Sequence, residues 1–250
     1  MRYLLLIIIL FLKINLLCFG QDSENVKLVC LLDSTDTFTD RYFYLVKYSN
    51  GIKTEVDSVG EFVNNKSSVL LRLAPSTNGN RIGKVIADTT EFLNLLTIVN
   101  KEDSVLFEKS FVKQVGDIFI SDYASYCIVD GGLKFYKDNK LFQSNVRVGL
   151  EHNGKYSNSG KYFIYVASDG VAGDAFIYLF NDFGKVLSKE SILQDFDKFN
   201  FQCFEINIDE TKRRIEMISM QSNGPYKVYG PVTKKTIKYS FIQNKLEQIK

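Results

Sequence analysis

Carboxylates and a single imidazole are the side chains whose chemistry has to be weighed first. His152 is the only histidine in the 250-residue chain, so any triad, dyad or histidine-ligated metal must run through it. It stands in Glu151-His152-Asn153-Gly154-Lys155, a polar run with an Asn-Gly pair, which predicts an exposed loop. No Gly-x-Ser-x-Gly occurs, so the sharp turn that presents a hydrolase serine is not encoded. Zinc sites built on several histidines are excluded by count. Paired carboxylates remain, since two carboxyl groups about 5–10 Å apart act as acid and base on a glycosidic bond. The candidates are Asp117, Asp122, Asp130, Asp169 and Asp174. Most fall at predicted turns, where aspartate is common because it bonds nearby backbone. The chain has no tryptophan, which counts against sugar stacking, although tyrosine can serve.

Two loops are rich in oxygen: Asp33-Ser34-Thr35-Asp36-Thr37-Phe38-Thr39-Asp40 and Asp169-Gly170-Val171-Ala172-Gly173-Asp174. Neither has the alternating acidic positions and closing glutamate of an EF-hand, and both read as solvated loops. Glycine-rich phosphate loops are absent. Asn65-Lys66-Ser67 is a glycosylation acceptor only in a eukaryotic host. The sequence therefore assigns no catalytic, cofactor-binding or metal-ligating residue and calls for no cofactor.

Cys30, Cys127 and Cys203 each lie in an apolar stretch, far apart and without metal-ligand spacing. They read as buried free thiols. One disulfide plus an odd thiol is the alternative in an oxidising compartment.

The N-terminus predicts export. Arg2 precedes the apolar run Leu4–Leu12, and Gly20 stands before the polar Gln21-Asp22-Ser23-Glu24-Asn25. This is the pattern of a secretory signal peptide cleaved after Gly20. Nine apolar residues are too few to span a bilayer, which takes about 20. Lipid attachment at Cys18 is the alternative, opposed by the bulk of Leu17. The expected location is secreted, periplasmic or cell envelope, with residues 21–250 as one all-β globular domain and no transmembrane segment after the signal peptide.

Loss of residues 1–20 leaves 29 basic and 29 acidic side chains, and a neutral chain is a poor ligand for nucleic acid. The charge is uneven. Residues 21–130 carry a net −5 and residues 131–250 a net +5. Lys212-Arg213-Arg214 and Lys234-Lys235 could meet an acidic partner.

The elements that must position these groups are strands. Tyr and Phe total 34 and prolines only 3, and short β-branched and aromatic runs are bounded by Gly, Asn and Asp. Hairpins are expected at Tyr42–Val56 around Asn50-Gly51, Leu95–Phe107, Leu133–Phe142 around Asp138-Asn139, Ala175–Leu187, and Ile237–Ile249 around Gln243-Asn244. Their spacing brackets one four-stranded propeller blade, roughly 40–50 residues. Blades can be sketched over residues 25–59, 67–111, 116–148, 161–193 and 200–249, for about 18 strands. The fold class expected is all-β, a β-propeller of about five blades. Two β-sandwich domains divided near residue 115 are the alternative. Short helices are expected after Ser191, over 192–199, and after the capping-box spacing Asp88-Thr89-Thr90-Glu91.

Ser159-Gly160-Lys161-Tyr162-Phe163-Ile164-Tyr165, followed by Phe176–Phe180 and Asn181-Asp182-Phe183-Gly184-Lys185, resembles one blade of a bacterial β-propeller repeat protein. The likeness implies a serine-glycine turn opening a strand and an Asn/Asp-x-x-Gly-Lys hairpin. No catalytic residues are carried over, because propellers host unrelated functions. The expected function is that of an exported all-β binding or interaction protein for a protein or glycan ligand. A carboxylate-dependent glycan-active enzyme on a five-bladed propeller is the alternative.

Overall fold

The computed structural model describes residues 25–32, 40–49, 52–63, 68–88, 90–91, 93–112, 115–146, 148–149, 151–168, 175–192, 202–222 and 232–249. Up to residue 69 this covers backbone alone. The expected signal peptide with Cys18, Asp33–Thr39, Asn65-Lys66-Ser67 and Asp169–Asp174 lie outside the described residues.

Among the described residues nineteen strands form five antiparallel sheets, each following chain order. The first has three strands, β1 (Asn25–Leu32), β2 (Asp40–Ser49) and β3 (Ile52–Val63). The second has β4 (Ser68–Pro75), β5 (Arg81–Asp88), β6 (Leu93–Asn100) and β7 (Val105–Phe111). The third has β8 (Ile118–Ile120), β9 (Ser125–Val129), β10 (Leu133–Lys137) and β11 (Lys140–Ser144). The fourth has β12 (Glu151–Tyr156), β13 (Tyr162–Ser168), β14 (Ala175–Asn181) and β15 (Val186–Ser191). The fifth has β16 (Gln202–Asp209), β17 (Arg214–Ser222), β18 (Val232–Ile242) and β19 (Lys245–Ile249). The opening strands touch in series: β1 with β4, β4 with β8, β8 with β12, β12 with β16. This is the propeller arrangement, with five blades and the first strand of each innermost.

All five expected hairpins form. Asp138 and Asn139 (φ 49° and 62°) and Gln243 and Asn244 (φ 51° and 64°) make two-residue turns with both centres left-handed. That is the geometry whose twist matches the flanking strands.

Among the described residues three apolar clusters each fill the space between neighbouring blades. Val85, Leu96 and Ile98 meet Ile118, Ile120 and Tyr126. Phe135 meets Phe163, Tyr165 and Phe180, with Phe135–Phe163 and Phe135–Phe180 centroids 5.5 and 5.2 Å apart. Ile164, Val166 and Ile177 meet Ile206, Met217 and Tyr239. Strand β13 thus sends Phe163 and Tyr165 to one neighbour and Ile164 and Val166 to the other. A strand buried on both faces reads as a continuous apolar run rather than an alternating one.

The sandwich alternative does not form. Val115, at the expected boundary, is buried in the cluster that joins the second and third blades. A parallel bridge joins Ser76 to Ile120. The helix expected from Asp88 is also replaced. Asp88 Oδ1 accepts from the N–H groups of Thr90 and Glu91 at 2.8 and 3.1 Å, as a helix cap would. The chain then reverses, and Leu93 pairs with Asp88 to start β6. Apolar pairing with β5 overrides the weak preference of one short helical turn. Ser191 closes β15 and Ile192 is buried beyond it; residues 193–199 lie outside the described residues.

Candidate functional site

His152 is not on an exposed loop. It lies on β12, the innermost strand of the fourth blade, with its side chain 16% exposed. Its Nδ1 is 3.1 Å from the Gly149 carbonyl, and its Nε2 faces Asp117 Oδ2 at 3.1 Å as an ion pair. Arg72 Nη1, from β4, lies 3.1 Å from Asp117 Oδ1. Two innermost strands and the residue that leads into a third thus bring a cation, a carboxylate and an imidazole together. The close approach of the His152 imidazole, with the Arg72 guanidinium, holds the Asp117 carboxyl below its ordinary range, against the cost of burial. The Asp117 carboxylate, helped by the Gly149 carbonyl, raises the His152 pKa above 6.5, with burial and Arg72 opposing it. Tyr165 packs 5.9 Å from the imidazole. Both oxygens of Asp117 are engaged, so the cluster is an electrostatic clasp between blades.

The other candidate carboxylates are engaged as well. Asp122, in the β8–β9 turn, accepts from Ser76 Oγ at 2.5 Å, from the Asn78 N–H at 2.9 Å and from the Asn80 N–H at 3.3 Å. It therefore closes the β4–β5 turn of the preceding blade. Glu210, in the β16–β17 turn, does the same for the β12–β13 turn. It accepts from the Ser159 N–H at 2.8 Å and from Ser159 Oγ at 2.5 Å. The two recipient turns share one pattern: Ser76 and Ser157 each bond a residue five positions on, and Gly79 and Gly160 each donate back to that serine's carbonyl. Asp130 pairs with Lys134. Asp169 and Asp174 lie outside the described residues.

Cys127 is a free thiol without solvent exposure, and burial pushes its pKa up. Cys203 is half-buried and free, its pKa raised to about 12 by burial. The side chain of Cys30 is outside the described residues, as are those of Lys234 and Lys235. Lys212, Arg213 and Arg214 are exposed at the β16–β17 tip, with Lys212 Nζ 3.3 Å from Asp209. Among the described residues no cluster of three or more His, Cys, Asp or Glu could hold a metal.

The feature that sequence reasoning missed is a groove of about 600 Å³ between the third and fourth blades. One wall is the end of β11 and the residue after it: Gln143, Ser144 and Asn145. The other is the face of β14 and β15 that carries Phe176, Tyr178 and Lys189. Strand β11 has only 5 residues, so the blade stops short and leaves Phe176 and Tyr178 half-exposed. Ala167, the cross-strand partner of Phe176, is too small to cover it. Lys189 pairs with Tyr178 across the ladder. Its Nζ sits 3.7 Å from the Phe176 ring centroid and 5.4 Å from that of Tyr178. The alternation Phe176, Tyr178, Phe180 was legible in the sequence; the shortness of the facing strand was not.

No protein-family model matches the chain, and no curated protein matches it in sequence. Solved structures are similar in fold. TolB from Acinetobacter baumannii is 14% identical, with a TM-score of 0.52 over 92% of this chain and 53% of that one. Hydrazine synthase from Kuenenia stuttgartiensis is 10% identical, with a TM-score of 0.50 over 84% of this chain and 62% of that one. Prolyl oligopeptidase B from Galerina marginata is 13% identical, with a TM-score of 0.50 over 87% of this chain and 30% of that one. This chain thus spans about half to two-thirds of the first two and under a third of the last, and at these identities what it shares with them is the all-β propeller fold.

Proposed function

We propose that the chain is an exported all-β binding or interaction protein whose ligand, a protein or a glycan, sits in the groove between the third and fourth blades. The observation that carries this is the uncovered Phe176–Tyr178 face beside the amides of Gln143 and Asn145. Concave sites of about 300–1,000 Å³ with apolar walls and a few fixed polar groups are where ligands bind. The partnered state of Asp117, Asp122 and Asp130 favours binding over carboxylate catalysis, because an acid–base pair needs carboxyl groups free to exchange protons with substrate. Export rests on the Arg2, Leu4–Leu12 and Gly20 pattern. Mass spectrometry of exported protein should find Gln21 first; retained residues 1–20 or a lipidated Cys18 would overturn it. The groove is tested by calorimetric titration with neutral and acidic pentasaccharides and with ten-residue peptides of either charge. At least one should bind, and Tyr178→Ala should weaken it about tenfold. Failure of all of them to bind removes the groove as the site.

A further inference from the structure

Among the described residues the binding groove has one charged lining residue, Lys189, and its charge is left unspent. Lys189 is exposed, and none of the described ion pairs involves it. The ammonium is held instead over the rings of Phe176 and Tyr178. Such an interaction orients a cation without neutralising it, so the site keeps a fixed positive charge. Beside it stand two primary amides, each able to donate and accept, a serine hydroxyl, and the rim of an aromatic pair.

The shape of the facing wall decides what kind of anion fits. A peptide would bind here by adding a strand to the free edge of β11. Lys137 and Lys140 flank a two-residue turn, so they form the hydrogen-bonded pair, and bonded pairs alternate along the ladder. Phe142 and Ser144 therefore point their backbone groups at β10, and only Leu141 and Gln143 point theirs outward. The Val146 N–H is turned to Ser144 Oγ at 3.3 Å. Of the β11 residues that line the groove, Gln143 alone offers an outward donor and acceptor, a short edge for a strand ladder. Recognition here falls to side chains. Amides and a hydroxyl suit a ring rich in hydroxyls, the half-exposed apolar surface of Phe176 and Tyr178 suits its C–H groups, and an ammonium suits a ring carboxylate.

We infer that this groove binds an acidic glycan, with Lys189 pairing a sugar carboxylate, Gln143 and Asn145 bonding ring hydroxyls, and Phe176 and Tyr178 supporting the sugar face. The inference rests on the groove being the binding site. The test uses the full mature protein and calorimetric titration. The probes are β-1,4-glucuronate, β-1,4-mannuronate and α-1,4-galacturonate pentamers, their neutral β-1,4-glucose, β-1,4-mannose and α-1,4-galactose counterparts, and a ten-residue glutamate-rich peptide. At least one acidic pentamer should bind at least about tenfold tighter than its neutral counterpart, and more weakly as salt is raised. Lys189→Met keeps the apolar stem and should erase that preference with the melting temperature unchanged. Tyr178→Ala should weaken acidic and neutral sugars alike. Equal binding of acidic and neutral sugars, or a preference that Lys189→Met leaves intact, overturns the acidic class and keeps the groove. Binding of the peptide alone, lost in Tyr178→Ala, does the same. No binding by any probe overturns both.

Discussion

His152 Nε2 lies 3.1 Å from Asp117 Oδ2, and through that contact the innermost strand of the fourth blade is tied to the approach to the third. The clasp has a pH window. The folded His152 pKa is raised above 6.5, so its contribution is complete below that value and lost as pH rises through the folded pKa. The folded Asp117 pKa is lowered below 3.8, so its contribution is present above that value and lost as pH falls through the folded pKa. Arg72 opposes His152 protonation and supports Asp117 ionisation; Tyr165 packs against the imidazole. Asp117 is 37% exposed, so the pair is worth at most about 1 kcal/mol. The melting temperature should fall by roughly 2–4 °C from pH 5.5 to pH 9. In His152→Gln that fall should shrink; an unchanged profile in the variant would show that other groups set it.

Much of the fold was legible because turns announce themselves. Asp138-Asn139, Gln243-Asn244 and Asn181-x-x-Gly184 marked hairpins that form as expected. Strand β12 was not legible, and His152 was misplaced with it. Glu151–Tyr156 is polar because an innermost strand borders its neighbours' inner strands rather than one apolar core. Its Gly154 serves packing: a Cβ there would stand 2.6 Å from Phe163 Cζ and 3.2 Å from the Phe119 ring. The Asn-Gly pair therefore gave a false turn signal. One signal could have corrected it. Ser157-x-x-Gly160 repeats the spacing of Ser76-x-x-Gly79, and a strand that precedes the first implies one before the second. The groove was hidden for another reason: it depends on where β11 stops, which tertiary packing decides.

Gly184 is constrained twice. Its φ is +77°, and a Cβ would lie 2.3 Å from Cδ2 of the fully buried Phe135. Gly132 has open space around it. Gly184→Ala should cost about 2–4 kcal/mol, from left-handed strain plus overpacking, whereas Gly132→Ala should stay within about 0.5 kcal/mol. Urea denaturation of both variants provides the comparison, and equal losses would contradict the packing seen at Phe135.

Asp122 accepts three hydrogen bonds from the turn of the preceding blade. Asp122→Ala should destabilise by about 1–3 kcal/mol, because the Ser76 hydroxyl and two N–H donors lose their acceptor. Combined with Ser76→Ala, the loss should be less than the sum of the two, since both remove the same Ser76–Asp122 bond. Additive losses would mean that the Ser76–Asp122 bond contributes nothing and that Asp122 acts through the Asn78 and Asn80 N–H groups.

The chain should not divide at residue 115. Val115, Ile118, Ile120, Tyr126 and Ile128 pack in one cluster with Val85, Leu96, Ile98 and Phe107, and no second core replaces those partners if residues 21–115 are removed. A fragment of residues 116–250 would expose the second-blade face of the third blade, including side chains that are 0–6% exposed in the whole chain. An exposed apolar sheet face of that kind associates rather than staying monomeric. The fragment should therefore aggregate or melt without a cooperative transition, while the mature chain melts in one. A sharp, reversible transition in monomeric 116–250 would show that the fourth and fifth blades fold with the third alone, and that the inter-blade cluster adds stability without being required.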